Sequence, residues 1–480
     1  MDKFFKLKEH GTTLRTEIVA GSTTFFTMVY IIFVNPSILA VTGMSWDGVF
    51  VATIIATVVG TLIMGLFANV PFAIAPGMGL NAFFAYTVCL AMGFAWQEAM
   101  AMVFLCGIVN IIITVTKIRK HIIKAIPKSL QLAIGGSIGL FIAYIGVKNA
   151  GLLNYIYDVL ITSDNYAVDI GIGTLYPGYT MAGADIVPVL ANFDNAGVLI
   201  ALFGLFLMVI LLLLKVKGAI LIGIIGATIV AIIAGVVQLP ANLFENRIGA
   251  VGEVAFSFFG SPGFGSMFSD PGRIFPVFVV IFAFSLTDTY DTVGTFIGTG
   301  RKSGIFDDKD MHALVEGKGF SSKMDKALFA DAIATSVGAL AGTSNATTYI
   351  ESAAGINVGG KTGMASVVTA ILFLLCLPFA ALFGIVPAFA TAPALIVVGI
   401  LMADSFVGIK WNEFDEAVPA FITVLIMALA FNISYGIAAG FVFYCIGKLV
   451  KGKASEVHPI IYVSTILFAV YFAVKGLGVI

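Results

Sequence analysis

Apolar runs of about twenty residues recur from one end of this chain to the other. A run of that length is what an α-helix needs to cross a bilayer. Of the 480 residues, 59% are hydrophobic and 11% charged, under half the roughly 25% of soluble domains. Mean hydropathy is +1.04. The chain therefore reads as an all-α polytopic membrane protein. The net charge of -1 carries no message about partners, and no basic groove suggests nucleic acid. HExxH does not occur. GINVGGKT (355–362) and GGSIG (135–139) match GxxxxGK[ST] and GxSxG by letter, but both fall in or beside apolar spans and lack the strand-to-helix turn of a soluble α/β sheet that gives those motifs their chemistry. ATP-driven pumping within the chain and the common hydrolase chemistries therefore find no support. Cys89, Cys106, Cys376 and Cys445 all sit in apolar runs without CxxC spacing and read as small core residues.

Spans fall near 17–40, 47–69, 71–91, 96–116, 128–149, 196–214 and 218–238. A second group falls near 275–297, 326–341, 343–357, 361–384, 388–406, 417–432 and 434–450. One further apolar stretch, 458–479, has no assigned placement. The polar, basic start, residues 1–16, lacks the pattern of a cleaved signal peptide and is expected in the cytoplasm. Counting crossings from there, four basic clusters all fall inside: Lys3 to Arg15, Lys117 to Lys128, Lys215 with Lys217, and Arg301 to Lys326. The long loop 150–195, with Asp158, Asp164, Asp169, Asp185 and Asp194, falls outside.

Seven spans, a break and seven more predict two repeats, inverted because each holds an odd number. In such folds the site is marked by Gly/Pro-interrupted segments at corresponding positions in the two halves. The third segment carries Pro76, Gly77 and Gly79 in its middle, and the tenth reads AGTSNATTYIESAAGINVGG from Ala341 to Gly360. Each is expected to contain short extended backbone feeding a half-helix, whose first amides suit ligand acceptor atoms.

Few ionisable groups lie inside the spans: Asp288 and Asp291 in the eighth, Asp331 in the ninth, Glu351 in the tenth and Asp404 near the end of the twelfth. Carboxylates at membrane depth mark functional sites. Asp288 and Asp291, three apart, share one helical face with Ser285, Thr292 and Thr295. No His, Lys or Arg is mid-span to pair with them, so hydrogen-bond donors, a cation or an added proton must satisfy them. Carboxylates that accept, amides that donate, and aromatic faces match a flat, uncharged heterocycle with N–H and carbonyl edges. Asn81, Phe83, Phe84 and Tyr349 are the candidates for donor and faces. Phe83 and Phe84 are adjacent and cannot both face a ligand. Asp291 and Asp331 read as supporting groups.

Four motifs carry a resemblance: TTFFTMVYIIFVNP (23–36), APGMGLNAFFAY (75–86), D-x-x-D-x-x-GT from Asp288 to Thr295, and GTSNATTYIESAAG (342–355). Together they resemble the nucleobase–ascorbate transporter superfamily, in its AzgA-like branch of purine permeases. That resemblance implies fourteen segments in two inverted repeats. It also implies a core domain (17–116 and 275–384) moving against a gate domain (128–238 and 388–450), with dimers formed through the gate. It implies proton symport without a cofactor, across the cell membrane and among its lipids. By motif position Asn81, Asp288 and Glu351 look like purine-contacting residues, Asp291 like a supporting aspartate, and Tyr349 like an aromatic near the ligand. Thr289 and Tyr290 depart from the apolar or aromatic pair common between the two aspartates. The expectation is a purine importer, guanine or hypoxanthine first and adenine second. A carrier of another nucleobase or a small anion on the same fold, or a nucleobase channel, are the competing readings. Mid-membrane carboxylates repel an anion.

Overall fold

The computed structural model describes residues 2–116, 126–156, 168–169, 174–175, 187–239, 247–301, 303–307, 310, 322–430 and 432–476. The basic residues Lys117 to Lys124, Lys302, Lys309 and Lys318, and the acidic Asp158, Asp164 and Asp185, lie outside these described residues.

The first half comprises α1 (Leu14–Met28), α2 (Ile31–Leu39), α3 (Trp46–Ile63), strand β1 (Ile74–Pro76), α4 (Met78–Ala82), α5 (Trp96–Val115), α6 (Lys128–Asn149), α7 (Ala196–Leu213) and α8 (Ala219–Ile233). The second half comprises α9 (Pro271–Thr295), α10 (Lys323–Ala341), strand β2 (Ala346–Thr348), α11 (Ser352–Asn357), α12 (Gly363–Leu374), α13 (Ala388–Met402), α14 (Phe414–Leu429) and α15 (Ile433–Val450). A last helix, α16 (Pro459–Gly476), packs on α15. Counting α1–α2, β1–α4 and β2–α11 as one segment each gives fourteen up to Val450. Among the described residues nine helical spans are long and apolar enough to cross a membrane. The others are the two broken segments, the polar α10, and the shorter α8 and α14.

The inverted repeat is visible in the packing. α3 packs on α12, and its counterpart α10 packs on α5; α1 packs on α12, and its counterpart α9 packs on α5. Polar anchors repeat the pattern. Glu17, fully buried at the start of α1, accepts the amides of Lys361 (2.9 Å), Thr362 (3.4 Å) and Ala365 (3.2 Å) at the start of α12. Arg273, at the start of α9, pairs at 2.9 Å with Glu98 at the start of α5 and lies over the Phe94 ring at 4.1 Å. A carboxylate on free amides satisfies donors that no helix bond reaches. Glu17→Ala is therefore expected to cost about 1–3 kcal/mol. It should appear as a lowered melting temperature of the purified protein with unchanged ligand affinity.

At the centre the two broken segments meet. β1 and β2 pair antiparallel, with Ile74 opposite Thr348, Ala75 opposite Thr347 and Pro76 opposite Ala346. The ladder is extended by Tyr349 N to Ala73 O (2.9 Å) and Gly77 N to Asn345 O (2.8 Å). Side chains take the outward-facing groups. Thr61 Oγ1 bonds both the N and O of Ile74 at 3.0 Å, Ser352 Oγ accepts from Ala73 N at 3.0 Å, and Thr335 Oγ1 donates to Ala346 O at 2.8 Å. Extended backbone survives here because protein, not lipid, meets every strand edge. Gly77 is required by the crossing: a Cβ there would lie 2.6 Å from Thr347 Cγ2.

The helices fall into two packing groups. α1, α3, α5, α9, α10 and α12 surround the strands, while α6 packs on α13 and α14, α13 on α7 and α8, and α14 on α15. Between the groups, Asn149 Nδ2 of α6 donates to Tyr86 Oη at 3.2 Å and the Lys148 ammonium lies 5.7 Å from the Tyr86 ring.

Candidate functional site

The expected residues gather around the strand crossing. Glu351 follows β2 and stands at the N-cap of α11. Its carboxylate is half-buried, and neighbouring Ile350 is exposed (59%). Glu351 Oε1 accepts from Tyr30 Oη at 2.5 Å. Tyr30 is buried, in the break between α1 and α2. Tyr349 is also buried, and its hydroxyl donates to Pro76 O at 2.6 Å, fastening the phenol across the paired strands.

The two aspartates of α9 occupy different surroundings. Three residues of helix turn a side chain by about 60°, enough to separate their neighbours. Asp288 is fully buried; its Oδ2 accepts from Asn110 Nδ2 of α5 at 2.6 Å and from Thr335 Oγ1 of α10 at 3.4 Å. Asn110 in turn accepts from Ser285, which fixes its amide with the NH2 toward the aspartate. Asp291 is exposed, reached by Thr347 Oγ1 at 3.5 Å. It is close enough to Asp331 and Glu351 for the charges to interact. Asp331 is buried and holds two hydroxyls at 2.8 Å, Thr292 on α9 and Thr348 on β2. Thr292 and Thr347 share a further bond at 2.9 Å. Asp331 thus ties α9, α10 and β2 together, while Asp291 and Glu351 line accessible space.

Asn81 is buried on α4; its Oδ1 accepts from Ser344, and its Nδ2 finds no partner among the described residues. A buried amide N–H2 without an acceptor is a donor held ready for one. Phe83 and Phe84 are both fully buried, and Phe83 packs edge-on against Phe284 of α9, with centroids 4.8 Å apart. A cavity of about 160 Å³ lies elsewhere, between α2 and α13, lined by Val34, Ser37, Asn149, Thr391 and Leu395. None of the carboxylates lines it, so the cluster of polar groups, rather than this void, locates the chemistry. The four cysteines are free and buried. Among the described residues no three His, Cys, Asp or Glu side chains form a metal-holding group.

Sequence reasoning missed Tyr30, Asn110 and Cys106. Cys106 Sγ accepts from Asn345 Nδ2 at 3.3 Å and so is part of the polar network. A phenol and an amide in the middle of apolar spans were the available signals, since each demands a partner when buried. Their partners lie 321 and 178 residues away.

Crossed half-segments bearing polar groups at the centre of an inverted-repeat bundle define a membrane permease, not an enzyme. The comparisons agree. A model described as "Permease family" matches residues 15–183 and 165–439. The chain is 42% identical to a putative permease of Methanocaldococcus jannaschii over 98% of each chain. It is 40% identical to the guanine/hypoxanthine permease PbuO of Bacillus subtilis, covering 97% of this chain and 98% of that one. It is 38% identical to the adenine permease AdeP of Escherichia coli, covering 98% and 95%. The chain belongs to this permease family, within the nucleobase–ascorbate transporter superfamily, and is a multi-pass integral membrane protein. Among solved structures the fold is similar to the transmembrane domain of the cyanobacterial bicarbonate transporter BicA, with a TM-score of 0.60 at 14% identity over 89% of this chain and 97% of that one. It is also similar to SLC26A9, with a TM-score of 0.58 at 9% identity over 91% and 65%. These likenesses concern the fold alone.

Proposed function

We propose that the protein imports purine nucleobases across the cell membrane, with guanine and hypoxanthine preferred and adenine second, coupled to protons. The observation that carries this reading is the meeting of acceptors, Glu351 and the α9 aspartates, with the unpartnered amide donor of Asn81 at one strand crossing. A purine edge offers N–H groups to the first and acceptor atoms to the second. The relatives named as guanine/hypoxanthine and adenine permeases support the substrate class. In this reading Glu351 and Asp288 serve ring N–H groups, Asn81 serves the opposite edge, Tyr349 and Phe83 bound the ring faces, and Asp291 and Asp331 support.

The group around the strands is the core domain and the group of α6–α8 and α13–α15 the gate, which also joins two copies of the chain. Transport is an elevator-like shift of core against gate, with Tyr86 and Asn149 separating in each cycle. The N-terminus faces the cytoplasm. The proton resides on the carboxylates, whose visible partners are neutral hydroxyls and an amide rather than bases.

Uptake of radiolabelled hypoxanthine by cells, with and without an uncoupler, tests the proposal. Accumulation abolished by the uncoupler and competed by guanine is expected; uptake that only equilibrates indicates a channel, and absence of any purine uptake overturns the reading. Asp291→Asn is expected to lower the transport rate without reordering the competing purines. A reordered ranking in that assay makes Asp291 a direct ligand contact.

A further inference from the structure

The phenol that donates to the Glu351 carboxylate lies on none of the elements to which the site has been assigned. Tyr30 sits where α1 ends at Met28 and α2 begins at Ile31, so its position is set by a break in the first span. It is 1% exposed, and its hydroxyl donates to Glu351 Oε1 at 2.5 Å. Thr27, in the last turn of α1, donates to the Glu351 carbonyl at 3.5 Å, so the end of α1 and the break after it hold both the carbonyl and the carboxylate of this residue. Among the described residues the other titratable groups facing Glu351 are Tyr349 on its own segment, committed to Pro76 O, and Asp291 from α9, with Asp331 of α10 behind it. Both aspartates are acceptors when ionised. Among the described residues, Tyr30 is thus the side chain from another element that donates to this carboxylate.

We infer that Tyr30 is a positioning residue for substrate recognition, its phenol orienting Glu351 and setting the pH range over which that carboxylate accepts a ring N–H from the purine. The inference rests on the transport reading given above. Two consequences follow from one bond. The donor occupies one carboxylate oxygen and leaves the other for the ligand, which fixes the direction of recognition. A hydrogen bond to a carboxylate also favours its ionised form. Its removal moves the limb of the pH profile governed by Glu351 to higher pH.

The test is binding of tritiated hypoxanthine to the purified protein between pH 5 and 9, for wild type, Tyr30→Phe, Glu351→Gln and the double variant. Tyr30→Phe removes only the hydroxyl. Expected are a Kd weakened by about tenfold, the size of one charge-assisted hydrogen bond, and a pH profile displaced upward. In the Glu351→Gln background, which has no carboxylate to titrate, the same change is expected to leave the pH profile unmoved and to alter Kd by much less than tenfold, because only a neutral hydrogen bond is then lost. A Tyr30→Phe protein with wild-type Kd and profile overturns the inference, as does an effect equally large in the Glu351→Gln background. A wild type that binds no purine overturns the transport reading and the inference with it. Should Tyr30→Phe not fold, 3-fluorotyrosine installed at position 30 keeps the shape and strengthens the donor. The profile then moves to lower pH, and an unmoved profile overturns the inference.

Discussion

Glu351→Gln is expected to abolish concentrative purine uptake while the protein still inserts and folds. The carboxylate is half-buried at the N-cap of α11, takes one hydrogen bond from Tyr30 and is surrounded by accessible space on the side of Ile350 and Asp291. An ionised carboxylate is acceptor-only; a carboxamide of the same shape carries one acceptor and an NH2 donor. In Glu351→Gln the oxygen keeps the Tyr30 bond, which spares the fold, and the NH2 is left facing the ring N–H. Losing a charged acceptor costs about 1.5–3 kcal/mol, roughly 10–100-fold in affinity, and the opposed donors add to it. The variant also holds no titratable group at this position, so a proton carried here is lost as well. Uptake and binding measured on membranes with equal amounts of variant and wild type check this. Wild-type affinity and coupling remove Glu351 from the site.

Asp331→Ala is expected to damage the structure rather than the recognition. One buried carboxylate holds Thr292 and Thr348 at 2.8 Å each, and Thr292 is in turn bonded to Thr347. Truncation leaves two buried hydroxyls of α9 and β2 without their acceptor, at about 1–3 kcal/mol apiece. The hydroxyls and the shortened side chain share one pocket, so the losses couple. A melting temperature lowered by several degrees, and reduced yield of folded protein, are the expected readouts. Asp331→Asn, which keeps one acceptor oxygen, falls between the two. In the fraction that folds, the order of competing purines stays as in wild type. A melting temperature equal to wild type contradicts the structural role, and a reordered ranking moves Asp331 into contact with the ligand.

The fold was legible where local sequence decides it. The apolar period gives the helices, and odd segment counts predict the inversion seen in the swapped pairings α3–α12 and α10–α5. Pro76 and Gly77 in one half, and Gly342 to Gly360 in the other, announce the two breaks, because a proline lacks the N–H and glycine admits the crossing. What the breaks do for each other was only half legible. That β1 and β2 pair, with Ala75 opposite Thr347, depends on two segments far apart in the chain meeting in one register. Asp288 and Asp291 read alike as residues three apart on one helix, yet one is bonded to Asn110 and buried while the other is accessible. Periodicity gives a face and not the neighbours packed on it. For the same reason Glu17 passed unnoticed: it sits in a polar N-terminal stretch, and only the start of α12 beside it turns it into a cap.

In the proposed cycle this carboxylate-and-amide crossing moves purines against their gradient at the expense of protons. The most direct test is hypoxanthine uptake into liposomes containing only the purified protein, with an acidic outside and a neutral lumen. A transient accumulation above the external concentration is expected, which collapses when a protonophore is added and is absent in Glu351→Gln. Uptake that never exceeds the external concentration, or accumulation indifferent to the proton gradient, contradicts the proposed cycle.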